Sequence, residues 1–211
     1  TLFGVDAIRY YMLHEIPFSS DGTITYELII ERINSDLANI LGNLVNRTIS
    51  MVNKYFDGVI TKPIEMETID EELRTLVLET PARVDALMNE LRVADAIDEV
   101  FNIFRRCNKY IDETMPWALA KEENKKDRLM TVLYHLVESI RHGAILLQPF
   151  LPDTASEIFK QLNTENRYID SLDDFSGFDN GIKVSTPIPL FARLKKEEKL
   201  EEINEFIKNN H

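Results

Sequence analysis

Asn34-Ser-Asp-Leu-Ala-Asn-Ile-Leu-Gly-Asn-Leu-Val-Asn-Arg-Thr-Ile-Ser-Met-Val-Asn-Lys-Tyr-Phe-Asp57 combines a helical apolar stripe with more asparagine than a helix ordinarily carries. Ile33, Leu37, Ile40, Leu41, Leu44, Val45, Ile49 and Val52 recur at steps of three and four, the spacing that turns one apolar face toward a core. The stretch is therefore a helix. Asn34, Asn39, Asn43, Asn46 and Asn53 each cost helix propensity relative to Ala, because the short amide competes for backbone hydrogen bonds. Packing does not ask for them. Asn43 and Arg47 are four apart, so both leave one face about one turn from each other. An amide beside a planar five-donor guanidinium suits flat, polar-edged ligands such as nucleobases.

Outward from this stretch, Thr25 with Glu27 marks the helix start, and Asp57-Gly58 is a stop and turn signal after Phe56. At 1.5 Å per residue such a helix is roughly 45 Å long, enough to run the length of a domain. Arg32 and Asp36 inside it read as a structural ion pair. Upstream, Asp6 to Glu15 is a short helix that Asp6 can cap, with Ile8, Tyr11, Met12 and Ile16 as its stripe. Pro17 and Ser19-Ser-Asp-Gly22 form a loop.

Downstream, residues 61 to 68 are a connector and a helix resumes near Ile69. Thr80 before Pro81 reads as a cap followed by a first-turn proline, so a break is expected there and a new helix from it to about Asp112. Val84, Leu87, Leu91, Ala94, Ile97, Val100, Phe101 and Phe104 form its apolar face. Pro116 cannot continue that helix and biases Met115 away from helical angles, which puts Trp117 at a corner. A fourth helix covers Asp127 to Leu147, with Leu129, Val132, Leu133, Leu136, Val137, Ile140 and Ile145 inward. A shorter one covers Asp153 to Leu162. Residues 163 to 180 read as loop, and Ile182 to Leu194 as an extended stretch lying across the bundle. Lys195 to Ile207 is a charged helix with Leu200, Ile203 and Ile207 as a thin apolar side, of the kind that leads to a further domain. The fold class is all-α, a helical bundle.

Composition narrows the function. The chain has 211 residues, 44% hydrophobic and 28% charged, which fits an ordinary globular protein. It starts at Thr1 without Met, which suggests a piece of something longer. Its single Cys107 makes no intrachain disulfide, and with no signal peptide and no apolar run of eighteen the expectation is a cytoplasmic protein without a membrane partner. No Cys/His cluster has zinc spacing, so no metal is expected. The net charge of −12 argues against nucleic acid only if it is spread evenly, and it is not. From Pro63 to Val100 eleven acids face three bases, whereas from Phe101 to Lys126 six bases outnumber four acids. The latter run reads as an ordinary solvated helix face, with a local basic strip as the alternative. A glycine-rich phosphate loop, a nucleophile elbow and a metal pair on a helix are all missing, and His14, His135, His142 and His211 are scattered. No catalytic residue is assigned, and a binding domain is the better class of answer.

Three runs in order, Val5-Asp-Ala-Ile-Arg-Tyr-Tyr11, Arg32 through Asn53-Lys-Tyr-Phe-Asp-Gly58, and Tyr110-Ile-Asp-Glu-Thr-Met-Pro-Trp-Ala-Leu-Ala-Lys121, resemble the methionyl-tRNA synthetases. The likeness extends over essentially the whole chain. It implies a stem-contact segment at 1–24, a helical anticodon-binding bundle of the class I synthetase type at 25–163, and at 164–211 a loop, extended stretch and helix leading onward. It implies further that the partner is the CAU anticodon loop of tRNA(Met). The family reads that loop with an Asn and an Arg on one helix and a Trp after a Pro, positions that fall here on Asn43, Arg47, Pro116 and Trp117, with an acid at Asp112. ATP and methionine are handled in that family by a catalytic domain whose signature motifs are not in these residues. The fragment would take no cofactor and catalyse nothing, with that domain as its second partner. In some members a dimerising tRNA-binding domain follows the region like Lys195 to His211. Two other readings stand beside this one: the anticodon domain of a leucine, isoleucine, valine or cysteine enzyme, and a helical protein-interaction module in which Trp117 and Asn43 merely pack.

Overall fold

The computed structural model describes residues 2–16, 22–179 and 181–209. The expected loop at Pro17 and Ser19 to Asp21, together with Thr1, Asn180 and His211, lies outside the described residues.

Helix α1, Val5–Glu15, buries Ala7, Tyr10 and Tyr11, so of the expected stripe only Tyr11 is fully enclosed; Ile8 and Ile16 are half-buried and Met12 is 41% exposed. The two tyrosines turn inward because their hydroxyls reach partners there: Tyr10 donates to Asp36 at 2.9 Å and Tyr11 to the Thr23 carbonyl at 3.1 Å. Asp6 does not cap α1, whose N-cap is Gly4. Its Oδ2 instead accepts the backbone N–H and the hydroxyl of Thr154, each at 2.7 Å, and so caps a helix almost 150 positions away.

The long helix comes in three continuous pieces: α2 at Tyr26–Arg32, a π-helical stretch at Ile33–Gly42, and α3 at Asn43–Phe56. Thr25 Oγ1 accepts the Leu28 N–H at 3.2 Å, and left-handed Asp57 followed by Gly58 ends the run as expected. Ile33, Leu37, Leu41, Leu44, Val45, Ile49 and Val52 are all buried. The π turns had no signal in the periodicity. Arg32 pairs with Glu15 at 2.6 Å and with Asp36 at 3.7 Å, tying the helix to α1.

A two-residue strand β1, Val59–Ile60, precedes α4, Thr68–Asn89, and α5, Val93–Thr114. The break expected at Pro81 is not there, since α4 runs through it. The Thr80 hydroxyl donates to the Leu76 carbonyl at 2.8 Å and Arg83 reaches the same oxygen at 3.3 Å, next in sequence to the Val77 carbonyl that loses its N–H donor to proline. The turn lies instead at residues 90–92, where Leu91 is left-handed, 76% exposed, and the Arg92 N–H returns to the Leu87 carbonyl at 2.9 Å.

Helix α6, Pro116–Leu119, is one turn; α7, Lys126–Leu147, and α8, Pro152–Leu162, follow. Every residue from Arg128 to Leu147 is buried, so α7 is the axis of the molecule, with α4, α5 and α8 packed around it. Its inward set reaches the core as expected, but its polar residues are enclosed as well. Arg141 makes a two-point bond to Glu138 at 2.6 and 3.0 Å and continues to the Ser171 hydroxyl at 2.8 Å, while the Gly177 N–H donates to Glu138 at 2.9 Å. Paired and hydrogen-bonded, the two charges can remain buried. The segment 163–179 is thus a packed cover with Leu172, Phe175 and Phe178 in the core. Gly177 has to be glycine there, because a Cβ would come within 2.5 Å of Arg141 Nε.

The chain then returns as β2, Ile182–Lys183, antiparallel to β1. Beyond it the extended run is fixed to the long helix by asparagines. Asn34 donates to the Leu194 carbonyl at 2.9 Å and accepts its N–H at 2.8 Å, and Asn53 donates to the Ser185 carbonyl at 2.9 Å. Helix α9, Lys196–Asn209, contacts α2 and buries Ile203. Among the described residues no helix is long and apolar enough to cross a membrane.

Candidate nucleic-acid interface

Opposite its buried stripe, the long helix presents Asn39, Asn43 and Arg47, all exposed and four apart. Asn43 Nδ2 donates to Asn39 Oδ1 at 3.1 Å, which leaves its own side-chain oxygen without a partner among the described residues. Arg47 makes no hydrogen bond or ion pair with the described residues. A guanidinium held on a rigid helix, but not engaged, is available to a ligand. Asn39 completes the row and escaped the sequence reading as a site residue, although its four-residue spacing from Asn43 was there to be seen.

The second group sits where α5 gives way to α6. The Thr114 hydroxyl donates to the Tyr110 carbonyl at 2.6 Å, and Met115 turns left-handed at φ 46°. Pro116 then occupies the first position of α6, where its missing N–H costs nothing. Pro116 is buried and Trp117 is 42% exposed, with no ring partner among the described residues. Asp112 lies one turn earlier on α5, exposed.

This corner is anchored from below. The Arg128 guanidinium grips the Asp70 carboxylate at 2.8 and 3.0 Å, and the Tyr110 hydroxyl donates to the same carboxylate. Burial, reinforced by the adjacent Asp70 carboxylate, holds the Tyr110 hydroxyl well above its ordinary value, so it stays a donor. Helices α4, α5 and α7 are thereby locked together two residues before Asp112.

Among the described residues no side-chain hydrogen bond or ion pair joins the two groups. Tyr55 and Phe56 at the end of α3 share a crevice of about 150 Å³ with Leu119 and Ala120, so the corner abuts the end of the helix that carries Arg47. Arg47 stands eight residues before Tyr55, about 12 Å along the axis. Nearby charges are mostly engaged: Arg105 pairs with Asp98 at 2.8 Å, Arg106 with Glu113 at 2.9 Å, and Lys109 with Glu113 at 3.5 Å. On the other side Asn39 and Asn43 line a groove of about 640 Å³ shared with Asn34, Phe191, Arg193 and Lys196.

Residues 62–210 match the family model described as the anticodon binding domain of methionyl tRNA ligase, and residues 1–49 match one described as class I tRNA synthetases (M). Among curated relatives, the methionine-tRNA ligases of Clostridium acetobutylicum and Clostridium tetani are 51% and 50% identical over 202 residues. Each comparison takes in 96% of this chain but only 31% and 32% of the relative, so the chain spans about a third of their length. The apo structure of Mycobacterium tuberculosis methionyl-tRNA synthetase matches with a TM-score of 0.85 at 33% identity, over 92% of this chain and 40% of that one. With the first family model covering well over half of its residues, the chain belongs to the family of methionyl-tRNA ligase anticodon-binding domains.

Proposed function

We propose that this chain reads the CAU anticodon of tRNA(Met) through Asn43, Arg47 and Trp117, with Pro116 fixing the indole and Asp112 bordering it. The observation that carries the reading is the Asn39-Asn43-Arg47 row, which stands exposed above a fully buried stripe with Arg47 unengaged among the described residues. Such a row offers donors and acceptors to base edges, and the exposed Trp117 offers a plane on which an unpaired base can stack. Residues 1–24 serve as the stem-contact segment, 25–163 as the reader, and 164–211 as the brace that continues onward. In the full-length ligase a catalytic domain joins methionine to the tRNA with ATP, and that domain is the second partner of this one. This chain takes no cofactor itself, so methionine-dependent pyrophosphate exchange by the pure 211-residue chain should stay at background.

Titration against anticodon stem-loops that differ only in the three anticodon bases tests the reading. Arg47→Gln should weaken the CAU loop and narrow its lead over the others by the equivalent of about 1–3 kcal/mol, the size of one two-point base contact. If all loops weaken equally and the salt dependence becomes shallower, Arg47 contacts phosphate and the base-reading role is lost.

A further inference from the structure

The π turns of the long helix end one residue before Asn43, and the Asn43 N–H closes the last of them on the Ala38 carbonyl. π turns are rare and mostly single, so a run of ten residues calls for support from outside the helix. That support comes from Asn108 on α5. Its Nδ2 donates to the Ile40 carbonyl at 3.0 Å, and also to the Phe104 carbonyl of its own helix at 3.0 Å. A carbonyl has two lone pairs, so Ile40 can accept this side chain without giving up a backbone donor. Asp112 follows Asn108 by one helical turn, and Met115, whose left-handed backbone directs Trp117, lies three residues beyond. One amide thus bridges the helix that bears Asn43 and Arg47 to the helix that leads to Trp117.

We propose that Asn108 is a positioning residue for anticodon discrimination: it holds the π turns in register and so sets the direction in which Asn43 and Arg47 leave the helix. The proposal rests on the anticodon reading given above. A turn that passes from π to α geometry contains fewer residues, so every later side chain rotates about the axis relative to the core. Asn108 contacts no RNA in this scheme. It acts through Ile40, and its loss misaligns Asn43 and Arg47 against the fixed Trp117.

The test uses the 211-residue chain, Asn108→Asp, Asn108→Ala and Arg47→Gln, titrated with the CAU stem-loop and loops replaced at single anticodon bases. Asn108→Asp keeps the shape but swaps the donor for an acceptor facing Ile40; Asn108→Ala removes the group without adding charge and decides alone if the first variant unfolds. The lead of CAU over the replaced loops should narrow roughly three- to tenfold, the worth of one hydrogen bond, in protein that still melts cooperatively. The Asn43 amide resonance, bonded to Ala38 in the parent, should move as well. An unmoved resonance, a uniform loss across all loops, or an unchanged lead while Arg47→Gln still narrows it, overturns the role of Asn108 and leaves the anticodon reading standing. If Arg47→Gln also leaves the lead unchanged, the anticodon reading fails and this proposal fails with it.

Discussion

At the scale of single residues, four of the five asparagines of the long helix divide by direction. Asn34 and Asn53 face the returning chain and serve as side-chain partners for backbone at Leu194 and Ser185. Asn39 and Asn43 face outward and bond only to each other among the described residues. Their excess was legible in the sequence, but the division was not, because it depends on a segment 132 to 160 residues away. Trp117 was legible in a different sense. Pro116 dictated a corner, and a corner next to a helix end leaves an indole half out. Trp117→Ala should therefore lower affinity for the CAU loop about ten- to a hundredfold, the value of a stacked base, with little change in melting temperature. As the only Trp, its fluorescence reports on itself alone. Emission that is blue-shifted and shielded from an aqueous quencher, with an Ala variant melting far below the parent, would mark a core residue and end the stacking role.

At the scale of elements, the helices that the three-four rhythm announced are present, and the errors have local causes. Pro81 reads as a start because proline rules are local, whereas α4 continues through it with the Thr80 and Arg83 side chains bonded to the Leu76 carbonyl. The real break at Leu91 carries no glycine to announce it. The π stretch left no trace in the apolar pattern, since Leu37 and Leu41 are buried as an α stripe also requires. Asp6 was correctly singled out as a capping residue but given the wrong helix. Its carboxylate satisfies the first turn of α8 and so ties α1 to that helix. Asp6→Ala leaves that buried N–H without a partner and should cost about 1–2 kcal/mol in urea unfolding, with no change in loop binding per folded molecule. A variant as stable as the parent would show that the α1–α8 contact is held by packing alone.

At the scale of the whole molecule, α7 decides how the fold responds to acid, because it encloses titratable groups that a one-sided helix would have left in water. Its inward apolar set was readable, yet the burial of His135, Glu138 and Arg141 was not, since only the cover at 163–179 closes that side. Two opposite causes act there. Burial holds His135 below its ordinary value of 6.5, although its Nδ1 donates to the Thr131 carbonyl at 2.8 Å in the neutral form. For Glu138 burial pushes upward, but the bonds from His142 and Arg141 outweigh it and hold the carboxyl below 4.5. Both signs make acid destabilising. The unfolded chain protonates at His135 before the folded one does, so stability is full above about pH 6.5 and declines as pH falls toward the depressed folded value. The Glu138 contribution is full above about pH 4.5 and is lost as pH falls through its own lower folded value. Stability from urea unfolding, followed from pH 7 to below pH 4.5, should thus fall in two stages, the first no steeper than about 1.4 kcal/mol per pH unit for one site. His135→Phe keeps the ring and removes the titration, so it should flatten the upper stage and leave the lower one in place. If parent and variant lose stability in parallel from pH 6.5 to 5, the proton is taken up elsewhere and His135 is not the acid-sensitive group of this core.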